Sequence, residues 1–164
     1  MPLKSKSLKE QATFAAGCFW GVEAAYQSVP GVLSTAVGFM GGDLENPTYE
    51  DVCMRNTNHA EVVHIEYDPE QITYEQLLNI FWQIHNPTTL NRQGPDYGTQ
   101  YRSAIFYQND KQKQIALGSK KVQNSTDKFK NKIVTEITKA SDFYRAEEYH
   151  QKYLQKQGKG TCKF

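Results

Sequence analysis

Several things are missing from this 164-residue sequence, and each absence removes a class of function. No apolar run approaches the roughly 20 residues that a membrane span requires. Neither sign of charge is in excess: 19 Lys and Arg against 18 Asp and Glu leave a net charge of +1. A nucleic-acid binder needs a basic excess on one face, so none is expected as a partner. Lysines do crowd residues 111–139, but Gln, Asn and Asp interleave them, which reads as a solvated helix face. The three cysteines are an odd number at wide spacings and make no secretory disulfide framework. No Cys-x-x-Cys or His-x-x-x-His pair marks a metal site, and Gly41-Gly42 lacks the Gly-Lys-Ser/Thr of a phosphate loop. The stretch MPLKSKSLKEQ is polar and has no apolar core of the signal-peptide kind, so the expected location is the cytoplasm.

What is present fits one globular domain. At 38% hydrophobic and 23% charged residues the chain is neither disordered nor membrane-embedded, and its length suffices to bury a core. Apolar periodicity predicts a strand over 11–16, a helix over 21–28 stopped by Pro30-Gly31, and a strand over 32–39. A loop then runs through Pro47, and a strand over 60–67 closes at Asp68-Pro69. The clearest helix covers 73–85, with Thr73 as cap, Gln76 three residues on, and Leu77, Ile80, Phe81 and Ile84 as its stripe. A second long polar loop fills 86–99. Beyond it the pattern gives a strand over 102–107, a helix over 110–123, a strand over 133–138 and a final helix over 144–157. The order predicts an α+β fold: a ferredoxin-like βαββαβ core, helices packed on a mainly antiparallel sheet, then a C-terminal helix and a coil tail. Residues 1–10 are expected to be a flexible segment, 11–157 the catalytic domain, and 158–164 a mobile tail.

Cys18 is the first candidate for chemistry. It stands between a strand and a helix start in Gly17-Cys18-Phe19-Trp20-Gly21, where the positive end of a helix dipole favours thiolate. A lone cysteine is equally a small buried hydrophobe, and Phe19 and Trp20 are equally core residues or walls of an apolar pocket. The two long loops hold Tyr49, Asp96 and Tyr101, and Glu61 opens a strand. A carboxyl group and two phenols gathered round a thiol would form a donor set for a developing oxyanion. Sequence separation does not say whether they meet.

Taken together, GCFWG, NPTYEDVC, HAEVV and RQGPDYGTQYRSAIF, in that order and spacing, resemble the peptide-methionine (S)-sulfoxide reductase family from about Ala15 to the C-terminus. The pair GCFWG and GTQYRS carries most of the specificity. The resemblance implies reduction of free and protein-bound methionine (S)-sulfoxide, and so repair of oxidised proteins. It implies Cys18 as nucleophile, Phe19 and Trp20 around the substrate's S-methyl group, and Glu61, Tyr49 and Tyr101 around the sulfoxide oxygen. Asp96 would hold the substrate backbone, and Cys162 would be the resolving cysteine of the tail. It further implies thioredoxin or another dithiol as reductant, no cofactor, no metal, and a monomer. The chain departs from the family pattern at Gly38-Phe39-Met40-Gly41-Gly42, where Tyr is usual at the second place, and in a tail that ends two residues after Cys162. The chief alternative is a hydrolase that pairs Cys18 with His59, His64, His85 or His150; a thiol sensor without turnover is another.

Overall fold

The computed structural model describes residues 9–54 and 56–157. Its strands and helices follow in the order β1 (Glu10–Ala16), α1 (Phe19–Gln27), β2 (Val32–Met40), α2 (Tyr49–Met54), β3 (Ala60–Tyr67), α3 (Tyr74–Gln83), β4 (Arg92–Gln93), β5 (Asp96–Tyr97), β6 (Ser103–Tyr107), α4 (Asp110–Asn124), β7 (Glu136–Lys139), β8 (Tyr144–Arg145) and α5 (Tyr153–Lys156). The expected α+β architecture is present. One sheet runs β7-β6-β1-β3-β2-β8, and β4 and β5 form a separate small hairpin. Every pairing in the larger sheet is antiparallel except β6 with β7.

The period-2 alternation of β3 decides what each sheet face receives. Val63, Ile65 and Tyr67 enter the large core with Phe14, Phe39, Leu77 and Phe81. Ala60 and Val62 point the other way, into a smaller cluster with Met40 and Phe106 against Phe143. Glu61 shares the parity of Val63, so it faces the large core and not solvent. That core includes Tyr26 from α1 and Leu77, Leu78, Phe81 and Trp82 from α3, all at most 1% exposed. Burial on this scale contributes roughly 1.5–3 kcal/mol per apolar side chain. The α3 entry is fixed as its sequence predicts. Thr73 Oγ1 accepts the Gln76 N–H, and the Gln76 side chain accepts the Thr73 N–H in return.

The final helix expected over 144–157 shrinks to α5, Tyr153–Lys156, and most of that segment does something else. Tyr144 and Arg145 pair with Phe39 and Gly38 on the edge of β2. Ala146 N–H donates to Val37 O at 2.9 Å. The Gln151 amide then accepts the Val37 N–H and donates to the Val37 carbonyl, each at 2.9 Å. Lys152 turns left-handed at φ 54° before the short α5 begins. An open strand edge offered backbone partners that outcompeted the local i→i−4 ladder. The strand expected over 133–138 is likewise displaced, to Glu136–Lys139. The short α2 forms just after the loop through Pro47, where the sequence pattern marks no helix.

Candidate active site

The turn from β1 into α1 sets the position of Cys18. Gly17 has φ 98°, and a Cβ there would lie 2.8 Å from Gln93 Cγ. Glycine supplies both the left-handed backbone and the room. Cys18 follows as the N-cap of α1, half-buried, and its carbonyl accepts the Val22 N–H at 3.4 Å. The thiol therefore stands at the positive end of the helix, as the sequence suggested.

Glu61 is brought to the same place from β3, paired with Phe39 on β2. It is 1% exposed. Oε1 accepts the backbone N–H of Phe19 at 3.1 Å, while the buried Oε2 has no hydrogen-bond partner among the described residues. Burial pushes the carboxyl up to about 8; the Phe19 N–H opposes this and the charge of Asp96 adds to it. At neutral pH the group is mostly the acid, carrying a proton beside Cys18's helix turn.

Two phenols complete the donor set. Tyr49 begins α2, and Tyr101 ends a 3₁₀ turn, Thr99–Tyr101, after the hairpin that carries Asp96. Burial above all pushes both phenols well above their usual range, and the charge of Glu61 adds to it. Tyr101 also feels Cys53, Asp96 and Cys18. Both hydroxyls stay protonated and can donate. Loops that are remote in sequence thus converge on one cluster, with Tyr101 within electrostatic reach of Cys18, Tyr49, Glu61 and Asp96, and Glu61 within reach of Tyr49 and Asp96.

An aromatic wall flanks this cluster. Phe19 is fully buried, with ring centroids at 5.6 Å from Phe39, 6.1 Å from Tyr49 and 5.3 Å from His150. Trp20 is half-buried, lies flat on Tyr153 at 3.9 Å, and donates from Nε1 to His150 Nδ1 at 2.9 Å. No local pattern marks His150 or Tyr153 for this role, since both fall in the segment expected as a helix. Cys53 departs from its sequence pattern, in which Tyr49-Glu50-Asp51-Val52-Cys53 reads as an ordered segment with the cysteine as a small buried hydrophobe. It is exposed on α2, where only Val52 is buried, and its thiol is a hydrogen-bond partner of the Tyr49 hydroxyl. A six-residue helix at the domain surface has too little inward face to bury both. Cys162 and the tail from 158, expected to supply the resolving thiol, lie outside the described residues, as does most of the segment 1–10.

The histidines a hydrolase would need are engaged in other ways. His59 holds Gly42 N–H and Leu44 O, His64 pairs with Thr13, and His85 spans Phe81 O and Ser103. Among the described residues no group of three or more His, Cys, Asp or Glu is placed to hold a metal ion. A cavity of about 380 Å³ between the first turns of α3 and α4 is lined by Thr73, Tyr74, Asn109 and their neighbours, and shares no residue with the Cys18 cluster.

Comparison with known proteins identifies the family. A sequence profile of the family described as peptide methionine sulfoxide reductase matches residues 10–164. The peptide methionine sulfoxide reductase MsrA of Methanothermobacter thermautotrophicus is 58% identical over 153 residues, covering 93% of this chain and 90% of that protein. Among solved structures, methionine sulfoxide reductase A of Corynebacterium diphtheriae has a TM-score of 0.86 at 39% identity, covering 98% of this chain and 80% of that one. Mxr1 from Saccharomyces cerevisiae in reduced form gives 0.87 at 38% identity, over 94% of this chain and 88% of its own. The same yeast protein in complex with Trx2 gives 0.63 at 27% identity, over 93% and 89%. With a profile match over nearly its whole length and relatives of this identity, the chain belongs to the peptide methionine sulfoxide reductase family and is an oxidoreductase.

Proposed function

We propose that the enzyme reduces methionine (S)-sulfoxide, free or within oxidised proteins, through attack of the Cys18 sulfur on the sulfoxide sulfur with Glu61 as general acid. The observation that carries this reading is the Glu61 carboxyl, held up to about 8 by burial with one oxygen on Phe19 N–H and the other without a hydrogen-bond partner among the described residues. That second oxygen can present its proton to the sulfoxide oxygen.

Magnitudes support the division of labour. Lowering a thiol pKa from about 8.5 to about 7 raises the thiolate fraction at neutral pH roughly 15-fold. Nucleophilicity falls roughly 5-fold over the same change, for a Brønsted slope near 0.45, so the net gain is about 3-fold. A positioned acid is worth about 10² to 10⁴. Protonation of the leaving oxygen therefore dominates, with the Tyr49 and Tyr101 hydroxyls stabilising charge on that oxygen. Phe19 and Trp20 receive the S-methyl group, and Asp96 the substrate backbone.

The redox account closes. Sulfoxide and Cys18 thiol give methionine and Cys18 sulfenic acid, two electrons passing from the thiol sulfur to the sulfoxide sulfur. The Cys162 thiol then displaces water from the sulfenic sulfur to form a disulfide. A dithiol protein of the thioredoxin class takes over that disulfide and returns both thiols. Five residues, 158–162, span at most about 17 Å when extended. The Tyr153 ring stacked on Trp20 puts the last helix beside the site, which supports that reach. The yeast relative captured with Trx2 supports the reductant class. Need for a reducing partner suits the cytoplasm, and one chain supplies every residue named, so a monomer suffices.

The test is incubation with separated sulfoxide epimers of a blocked methionine and dithiothreitol. The S epimer should be consumed and the R epimer left, and Cys18→Ser should abolish the reaction. Residual activity within tenfold of wild type in Cys18→Ser would reject the mechanism. Thioester hydrolysis without reductant would favour the hydrolase.

A further inference from the structure

We infer that His150 is a positioning residue for the reaction, fixing the Trp20 indole through its Nδ1 while Glu147 links the same ring to the backbone of Tyr49. The inference rests on the reading above that Trp20 helps to receive the S-methyl group.

Stacking on Tyr153 sets the plane of the Trp20 ring but leaves it free to slide and turn within that plane. The hydrogen bond from Nε1 to His150 Nδ1 at 2.9 Å removes that freedom. Because Nδ1 accepts, the neutral ring carries its proton on Nε2. Nε2 is buried and has no hydrogen-bond partner among the described residues; it faces Glu147 Oε1 at 3.9 Å, which is buried and unpartnered too. The other oxygen of Glu147 accepts the Tyr49 N–H at 3.1 Å. A carboxylate at that spacing favours the proton on Nε2 and so keeps Nδ1 open as an acceptor. One short segment thereby ties both sides of the cluster, the indole on α1 and the phenol on α2.

The segment itself is held in place from two directions. The Gln151 side chain is bonded to Val37 on β2. The Lys152 N–H donates to the buried Glu23 on α1 at 2.6 Å, and Glu23 also accepts the Thr35 hydroxyl. His150 is 1% exposed, and its ring lies 4.3 Å from Tyr49. A histidine packed only for volume would have no need of an acceptor aimed at one indole.

The variants that separate the two cases are His150→Leu, which fills the space without an acceptor, and His150→Asn, whose side-chain oxygen can stand near Nδ1. With the blocked (S)-sulfoxide and dithiothreitol, His150→Leu should raise KM about tenfold, the worth of one buried hydrogen bond, and leave kcat within about threefold. His150→Asn should recover most of that loss. The chain has two tryptophans, so a ¹H–¹⁵N spectrum shows two indole resonances. The Trp20 indole should shift and exchange faster in His150→Leu, while Trp82, bonded to Ser119 Oγ at 2.8 Å, stays unmoved. An unchanged KM in His150→Leu, together with a raised KM in Trp20→Ala, would overturn the inference and leave the methyl subsite standing. If Trp20→Ala itself left KM unmoved, the subsite reading would fall and the inference with it. Equal losses in the Leu and Asn variants, with both indole resonances displaced, would make His150 a plain core residue and overturn the positioning role.

Discussion

Glu61 Oε1 is bonded to the backbone N–H of Phe19 at 3.1 Å, so the acid is anchored to the first residue of the helix that Cys18 caps. Glu61 and Cys18 are thereby tied to one turn of backbone. Replacing Glu61 with Gln keeps that acceptor and the volume but removes the deliverable proton. The single-turnover release of methionine should slow by about 10² or more. A rate equal to wild type in rapid-quench measurements would move the acid role to Tyr49 or Tyr101.

The same carboxyl gives a pH signature. With its acid form persisting up to about 8, the reductive step at saturating substrate should decline as pH rises through that value. Glu61→Gln should lose this alkaline decline. Stability follows the same proton. The folded carboxyl titrates near 8 and the unfolded one near its ordinary 4.5. Between those values the folded state binds more protons, so this group's contribution to stability falls as pH rises through the window. Urea midpoints of wild type and Glu61→Gln, compared at pH 5 and pH 9, should shift in favour of the variant at the higher pH. A constant difference would show that the carboxyl is not buried as an acid.

Much of this site could be read from residues before any coordinates. Thr73 and Gln76 announced the start of α3 because a capping box is local chemistry, complete within four residues. Cys18 at a helix start, and Glu61 at the head of a strand, were legible for the same reason: period and turn chemistry are short-range. The segment 144–157 was not. Its composition suits a helix, yet the unpaired edge of β2 and the Gln151 amide drew it into extended backbone. Only the assembled sheet creates that competitor. The gathering of Tyr49, Asp96 and Tyr101 likewise depends on loop paths no local pattern encodes, so their roles came from the family resemblance alone. Cys53 faces outward because the short α2 buries only Val52.

Removing either phenol should be milder than removing the acid. Tyr49 and Tyr101 both stand within electrostatic reach of Glu61, so either can donate to the same oxygen in the absence of its partner. Tyr49→Phe and Tyr101→Phe should each slow the chemical step by about tenfold, one hydrogen bond's worth. The double variant should exceed the product of the two, since shared work shows as non-additivity. Strict additivity in a double-mutant cycle would mean that the phenols act on different atoms.

Gly17 should tolerate no side chain. Alanine there meets both the penalty of φ 98° and a Cβ contact of 2.8 Å with Gln93. The expected cost is about 1–3 kcal/mol. Gln93 in turn bonds Asn86 at N–H and O, so the disturbance reaches the loop that carries Asp96. Urea denaturation should show the loss, and KM for the sulfoxide should rise along with it. Unchanged stability in Gly17→Ala would show that the turn can relax without this loop.

The cysteines allow the sharpest separation. Cys53 sits on a helix; partial burial of its sulfur, with the charge of Glu61, raises its thiol above the ordinary value against the opposing hydrogen bond with the Tyr49 hydroxyl. A thiol held in its protonated form attacks a sulfenic acid poorly, because the thiolate is the nucleophile. Cys162 lies between Gly160 and the chain end in a short glycine-bearing tail. Resolution needs a thiol that leaves the site open for methionine and then enters it. Cys162→Ser should therefore release about one methionine per enzyme in a single turnover and then stall with thioredoxin as reductant, since no disulfide can form for thioredoxin to attack. Mass spectrometry of the stalled protein should find one added oxygen on Cys18, trapped by a sulfenic-acid reagent. Cys53→Ser keeps a hydroxyl for Tyr49 and should cycle almost normally. A stalled Cys53 variant beside a cycling Cys162 variant would assign the resolving thiol to α2. Cycling by both would mean that thioredoxin reduces the Cys18 sulfenic acid directly, with neither thiol required.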